Sequence, residues 1–188
     1  MNVYDFDKTI YNGDSSVDFY FFVLCKKPYL IVLLPLQVLG MVFYLFGIYP
    51  KERMKEAFFV FIRHISVHEM VSKFWEQNRK KIKSWYLQQK QDSDVIISAS
   101  PEFLLEQFVC SYLGVKLIAS KINLATGKYI GKNCFGEEKV KRLCAVYSMN
   151  SIDNFYSDSY TDLPLASIAK SAFLVHGNTI IKWKYHGV

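Results

Sequence analysis

A layered α/β fold, built on a parallel sheet with a mainly helical insertion after its first strand, is what this sequence predicts. Three observations predict it. Strand-like and helix-like segments alternate from residue 92 onward, as a parallel sheet with crossover helices requires. Three predicted strands run to Asp5, Ser98 and Asp158, and ligands of such sheets collect at the carboxyl ends of strands. Between the first strand and the second lies a stretch of different texture, very apolar and then helical in its spacing. The expected organisation is a core of residues 1–14 and 92–188 and a cap of residues 15–91.

Asn2 to Phe6 is apolar enough for a short strand ending at its acids. From Ser15 the pattern changes: "VDFYFFVLCKKPYLIVLLPLQVLGMVFYLFGIYP" is the most apolar part of the chain, and residues 28–50, 23 in all, carry no charge. "KERMKEAFFVFIRHI" and "SVHEMVSKFWEQNRKKIKSWYLQQ" have helical spacing, with Ser66 and Glu69 placed for a capping box. "QKQDSD" is a polar linker. "DVIISAS" reads as a short buried strand running to Ser98. "SPEFLLEQFVCSYLG" reads as a helix with Ser100 as N-cap, Pro101 at its first position and Gly114 as its stop. "VKLIAS" is a strand, "KINLATGKYIG" a hairpin with Thr126-Gly127 at its tip, and "GEEKVKRLCAVYS" a helix opening at Gly136. "IDNFYSD" is a strand ending at Asp158, "DLPLASIAK" a helix and "AFLVHG" a strand; His176 and Trp183 fall in the tail and are assigned no role.

Composition narrows the function classes. An apolar fraction of 51%, with 13 Tyr and 15 Phe, excludes a disordered chain. The formal net charge of +6 favours an anionic partner. Trp75, Ile82 and Trp85 lie at helical spacing and read as core rather than as a base-stacking platform, so no nucleic-acid partner is expected. Cys25, Cys110, Cys134 and Cys144 are scattered, without a CxxC, and read as reduced thiols. "MNVYDFD" has acids where a signal peptide needs an apolar run, and a cytoplasmic location is expected. His64 and His68 have i, i+4 spacing, but the glutamate of a zinc HExxH motif is misplaced in "HISVHE".

The chemistry concentrates in "VYDFDKTIYNGD". Asp5 and Asp7 share a face if the strand continues through both; if it ends, one carboxylate and one backbone carbonyl can face the same point. Two adjacent carboxylates repel unless something positive lies between them, and magnesium suits hard oxygen ligands and phosphate. A carboxylate there can also attack phosphorus while its neighbour handles the leaving-group proton. Alone, the motif is a weak signal, since Asp-, Asn- and Gly-rich turns are common after strands. Residues farther along the chain strengthen it by their order: Ser98 at a strand end, Lys139 near a helix start, then "YSDSYTD" with Asp158 and Asp162.

With "DFDKT", "IISAS", "GEEKVKRL" and "YSDSYTD" in this order, the sequence resembles the haloacid dehalogenase superfamily of phosphatases, in its phosphoserine phosphatase-like branch with a helical cap. The apolar insertion and "YSDSYTDLPL" are also similar to bacterial phosphatidylglycerophosphatases of the C type. The resemblance implies a Rossmann-like core, a magnesium cofactor and hydrolysis of a phosphomonoester through an aspartyl-phosphate. It implies Asp5 as nucleophile and Asp7 as general acid and then base. Thr9, Ser98, Ala99 and Lys139 would serve the phosphoryl group. Asp5, Asp158 and the backbone carbonyl of Asp7 would hold the metal, with Asp162 in support. Asp14 matches an acid that some relatives turn on the substrate, although it also suits a helix N-terminus capped by Ser15 or Ser16. Two positions depart from the family pattern: Lys8 stands where glycine is frequent, and Thr161 where asparagine is.

The uncharged run meets the length criterion for a membrane helix. A single crossing would separate Asp5 from Ser98, Lys139 and Asp158. A hairpin is too short, since at ~1.5 Å per residue each half reaches ~15 Å against a core of ~30 Å. Two options remain. The run folds as short helices broken near Pro35 or Gly40 and dips into one leaflet, or it is buried in the cap or an oligomer interface. Lys26, Lys27, Lys51, Arg53, Lys55 and the cluster "RKKIK" would suit an anionic lipid surface on the inner face of the membrane. Arg53 could also reach a substrate head group. A lipid phosphate and a small soluble phosphate ester are both open as substrates, and a catalytically inactive membrane-binding scaffold is the remaining alternative.

Overall fold

The computed structural model describes residues 1–148 and 151–184. One six-stranded sheet has the order β3-β2-β1-β4-β5-β6, from β1 (Asn2–Tyr4), β2 (Val95–Pro101), β3 (Lys116–Ser120), β4 (Asn154–Ser157), β5 (Ser171–His176) and β6 (Thr179–Lys182). All neighbours are parallel except β5 and β6, which form an antiparallel hairpin. Val3 pairs with Val95 on one side and Phe155 on the other, so β1 lies in the middle of the sheet.

Period-two alternation assigns the two faces. Tyr4, Ile96, Tyr156 and Val175 enter one apolar cluster; Val3, Val95, Phe155 and Leu174 enter the other. The second face is covered by α7 (Glu137–Cys144) and α8 (Leu163–Ala166), with Leu143, Leu165 and Ala166 inserted. The first is covered by α6 (Glu102–Glu106), its π-helical continuation to Leu113, and part of the insertion.

The insertion is helical throughout, as its spacing predicts: α1 (Ser15–Lys26), α2 (Leu34–Leu45), α3 (Lys51–Phe58), α4 (Val67–Asn78) and α5 (Ser84–Gln89), with 3₁₀ turns at Pro28–Leu33 and Phe59–His64. Phe19 of α1 and Phe74 and Trp75 of α4 join the sheet-side cluster, and Trp75 stacks on Phe108 with centroids 4.0 Å apart. Trp75 and Ile82 are thus core, as their spacing predicts.

The hairpin of α2 and α3 is built differently. The buried residues of α2 are Gln37 and Gly40, while its aliphatic side chains face outward. Tyr20 donates to Oε1 of Gln37, whose Nε2 donates to the Phe58 carbonyl at 3.1 Å. No break is present near Pro35: the 3₁₀ turn passes directly into α2 at Leu33–Leu34, both right-handed helical, and Pro35 sits in the first turn of α2, where its missing N–H costs nothing. Gly40 does not break the helix. It is a close approach: a Cβ there would stand 2.7 Å from the Cβ of Ala57.

Other boundaries move. The second strand runs past Ser98 to Pro101, and Pro101 rather than Ser100 is the residue before α6. Gly114 ends that helix with φ +70°, as expected of a glycine stop. Ser66 precedes α4, but its side chain makes no cap bond, and Glu69 turns to Lys73 at 2.6 Å instead of closing a capping box. The tail is structured: β6 pairs with β5, and Trp183 is buried in the second cluster.

Candidate active site

β1 ends at Tyr4, and the Asp5 N–H extends the ladder by donating to the Tyr156 carbonyl at 2.9 Å. The backbone then closes a tight loop, with the N–H groups of Ile10 and Tyr11 both donating to the Phe6 carbonyl. Lys8 sits in that loop at φ 58°, the left-handed region that costs a non-glycine residue ~1–2 kcal/mol. This explains why glycine is frequent at this position among the proteins the sequence resembles. Lys83 compensates: buried at 6% exposure, it donates to the carbonyls of Lys8 and of Gly177, the latter at 2.6 Å. The Lys8 side chain is exposed at the cavity rim.

Lys139, buried in α7, reaches Asp5 Oδ1 at 2.6 Å and Asp162 Oδ2 at 2.8 Å. Ser157 also donates to Asp162 Oδ2, at 2.8 Å, and the other oxygen of Asp162 is buried without a hydrogen-bond partner among the described residues. Thr9 donates to Asp5 Oδ2 at 3.2 Å and accepts the Asp158 N–H at 2.9 Å, tying the first strand end to the fourth. Asp7 turns away from this cluster: Oδ1 accepts the Ser15 N–H at 2.6 Å, and Oδ2 accepts the Ser100 hydroxyl.

Asp5, Asp7, Asp158, Asp162 and Lys139 border one cavity of ≈ 410 Å³. Its charges are divided by position: Asp5, Asp7, Asp14, Asp158 and Asp162 come from the core and the start of α1, and besides Lys139 and Lys8 the cations Lys51 and Lys55 come from the cap. Burial pushes Asp5 up to about 7; Lys139 opposes that shift, while Asp162 and Asp7 reinforce it. Burial and then the Asp14 charge push Asp7 up to about 6. Asp158 is raised by burial, with Lys8 opposing. Burial disfavours the Lys139 charge, but Asp5 and Asp162 outweigh it and hold the ammonium above its usual range.

The donor set fits a small hard cation. No three His, Cys, Asp or Glu side chains among the described residues form a ready-made cluster. Magnesium needs none, since it takes one or two carboxylates and completes its shell with water and phosphate. Asp5 and Asp158 can supply those carboxylates, and the Asp158 carboxylate has no partner side chain among the described residues. The Asp7 carboxylate is committed to Ser15 and Ser100, which leaves its backbone carbonyl for a metal.

The remaining candidates divide. Ala99 lines the cavity, whereas Ser98 is 1% exposed, outside the lining, and accepts the Ser100 N–H at 3.0 Å. Asp14 lines the cavity but is itself the N-cap of α1, accepting from Ser16 and Val17. Arg53 is exposed and not part of the lining, so the structure does not place it against a substrate. Thr161 pairs with Ser159 at 2.9 Å at the surface, and the Lys139–Asp162 contact is intact beside it. The "RKKIK" cluster is no uniform basic face: Lys81 pairs with Asp18 at 2.9 Å and Lys83 is buried. Sequence reasoning missed Ser100 and Lys83. It also missed the cap wall, where Lys51, Met54, Lys55 and Phe58 line the cavity at positions i, i+3, i+4 and i+7 of one helix stripe. That stripe was legible in the sequence.

A Rossmann-like sheet with acids and a lysine gathered at its carboxyl edge defines a class of hydrolase. Residues 3–167 match the profile of the haloacid dehalogenase-like hydrolases, and the chain belongs to that family. No curated protein matches its sequence. Solved structures share its fold at low identity. A protein of unknown function from Bordetella pertussis superposes with a TM-score of 0.71 at 19% identity, over 92% of this chain and 87% of that one. A phosphoserine phosphohydrolase-like protein from Francisella tularensis gives 0.55 at 15% identity, over 92% and 86%. A HAD family hydrolase from Salmonella enterica gives 0.55 at 11% identity, over 89% of this chain and 59% of that one.

Proposed function

We propose that the protein is a magnesium-dependent phosphomonoesterase working through an aspartyl-phosphate. The observation that carries this reading is the buried contact of Lys139 with Asp5, 134 residues away in sequence, with Asp7 held by Ser100 at the same cavity. In this reading an Asp5 oxygen attacks phosphorus in line with the departing alkoxide. Asp7 protonates that alkoxide and then takes a proton from the water that hydrolyses the acyl phosphate. Lys139 neutralises charge on Asp5 and the phosphoryl oxygens, and Asp162 and Ser157 hold Lys139 in place. Magnesium, when bound, would add positive charge beside the phosphoryl group.

A lipid phosphate, of which phosphatidylglycerophosphate is one candidate, is the favoured substrate. Apolar residues of the cap, among them Met41, Met54, Phe58 and Phe59, form one wall of the cavity. Met41 belongs to α2, whose outer face is aliphatic, so that wall is continuous with the exposed apolar hairpin. Lys26, Lys27 and Arg63 stand together in a hollow where the apolar stretch begins, opposed there by Glu76, while Lys73 is paired with Glu69, and these three cations would suit lipid phosphates. Pro28–Leu45 is apolar enough to cross a bilayer by length and composition. In this reading it enters and leaves on one side, which is consistent with the 2.6 Å contact between Asp5 before it and Lys139 after it. Peripheral attachment to the inner leaflet follows within this reading. A small soluble phosphate ester is the second reading, favoured by the fold shared with the phosphoserine phosphohydrolase-like protein.

Asp5→Asn is expected to reduce turnover of p-nitrophenyl phosphate by on the order of 10⁴ or more. Chelation by EDTA is expected to silence the wild type until magnesium is restored. Retained activity in the variant would remove the nucleophile, and indifference to chelator would remove the metal.

A further inference from the structure

We propose that Lys51 and Lys55 form a second anion subsite on the cap wall, seating an additional phosphodiester or carboxylate of the substrate. The inference rests on the phosphatase reading above and names its substrate class: a phosphomonoester that carries a second anionic group.

Lys51 and Lys55 are one turn apart on α3 and therefore share a face. Both line the cavity that holds Asp5, Asp7 and Lys139. Neither forms a salt bridge among the described residues. Lys51 lies over the Phe135 ring, 4.0 Å from its centroid, and Phe135 is itself part of the cavity wall. Lys55 is largely withdrawn from water. Burial, and then the charge of Lys51, lower its pKa, while Asp14, Asp7 and Glu52 pull the other way. Two ammonium groups one helical turn apart, with no carboxylate in ion-pair contact with either among the described residues, repel each other, and an anion bound between them relieves that repulsion.

The phosphoryl group under attack does not meet that need. On the core side it has Lys139, already in contact with the nucleophile. The α3 lysines belong to the cap rather than to the core that carries Asp5 and Lys139, so they are free to meet a part of the substrate other than the phosphorus under attack. Met54 and Phe58 continue the same stripe, so the group beyond the second anion meets an apolar surface. The second anion could belong to a lipid head group or to a soluble bisphosphate, and the two sources are separable.

The test is equilibrium binding by calorimetry in magnesium to the full-length protein carrying Asp5→Asn, which keeps ligands intact. Glycerol 3-phosphate is compared with glycerol 1,3-bisphosphate. Dioctanoyl phosphatidic acid in micelles is compared with a dioctanoyl lipid bearing both an internal phosphodiester and a terminal phosphomonoester. The two-anion ligand is expected to bind at least tenfold tighter on one scaffold, and the scaffold that shows it identifies the source. Lys55→Met should erase the difference and Lys55→Arg should keep it, with Lys51→Met as a second probe. Equal affinity for one- and two-anion ligands on both scaffolds overturns the subsite, as does a difference that survives Lys55→Met and Lys51→Met. Phosphate release by the wild-type protein is measured on the same ligands. Its absence overturns the phosphatase reading and leaves the binding result standing.

Discussion

Asp7 faces two demands: it must hold a proton when the leaving group departs, and it must be aimed. Burial and Asp14 raise it, the Ser100 hydroxyl and Ser15 N–H oppose them by bonding the carboxylate form, and the balance stands at about 6. For an alkyl phosphate, whose leaving group needs that proton, kcat is expected to fall as pH rises through about 6. p-Nitrophenyl phosphate, with its good leaving group, should show a shallower fall. Asp5 stands at about 7 with Lys139 beside it, and a bound divalent ion would favour its carboxylate further, so the alkaline limb belongs to Asp7. Ser100→Ala removes a donor to the charged form and should move that limb upward by up to about one unit. A limb that stays put, or moves down, would separate Ser100 from the acid. Ser100 is legible in the sequence only as a helix cap, since Ser-Pro before a helix usually is one; its true partner is 93 residues away.

Elements show the same division between local and distant information. The helical character of the insertion, the glycine stop at Gly114 and the core role of Trp75 follow from spacing and turn chemistry, but the segment of residues 66–89, one run by its spacing, is broken at residues 79–83 into α4 and α5. Gly40 is ambiguous in the sequence because a glycine in an apolar run signals either a break or a close approach, and only the position of Ala57 decides for the second. Arg53 stands out by charge alone, whereas the phase of α3 turns residues 51, 54, 55 and 58 to the cavity. β6 and the burial of Trp183 escape the sequence because four residues of an edge hairpin carry little periodicity. The Gly40–Ala57 contact is testable. Gly40→Ala gains up to ~1 kcal/mol of helix propensity but overpacks the α2–α3 seam at a cost of ~1–3 kcal/mol. A lower Tm is expected, and Ala57→Gly in the same chain should restore much of it. A Tm that rises in the single variant would mean that the seam yields freely.

At the scale of the whole molecule the apolar surface is inverted: α2 buries its glutamine and exposes its aliphatic side chains. Val32, Leu45 and Phe46 are 74%, 73% and 78% exposed. Under the proposed lipid-phosphate reading this face meets the bilayer. Leu45→Ser with Phe46→Ser removes apolar area without adding charge. Each fully inserted side chain is worth ~1.5–3 kcal/mol, so affinity for phosphatidylglycerol vesicles should drop tenfold or more. Unchanged binding, with a dimer seen by sedimentation, would assign the face to a second copy.

The central place of β1 has a consequence for synthesis on the ribosome. Its two neighbours in the sheet, β2 and β4, begin at Val95 and Asn154, so β1 has no partner until the whole helical insertion has been made. Asp5 likewise awaits Lys139. The greasy hairpin leaves the exit tunnel long before the platform that will carry it. A nascent chain can therefore rest on a bilayer or a chaperone while its catalytic machinery is still being translated.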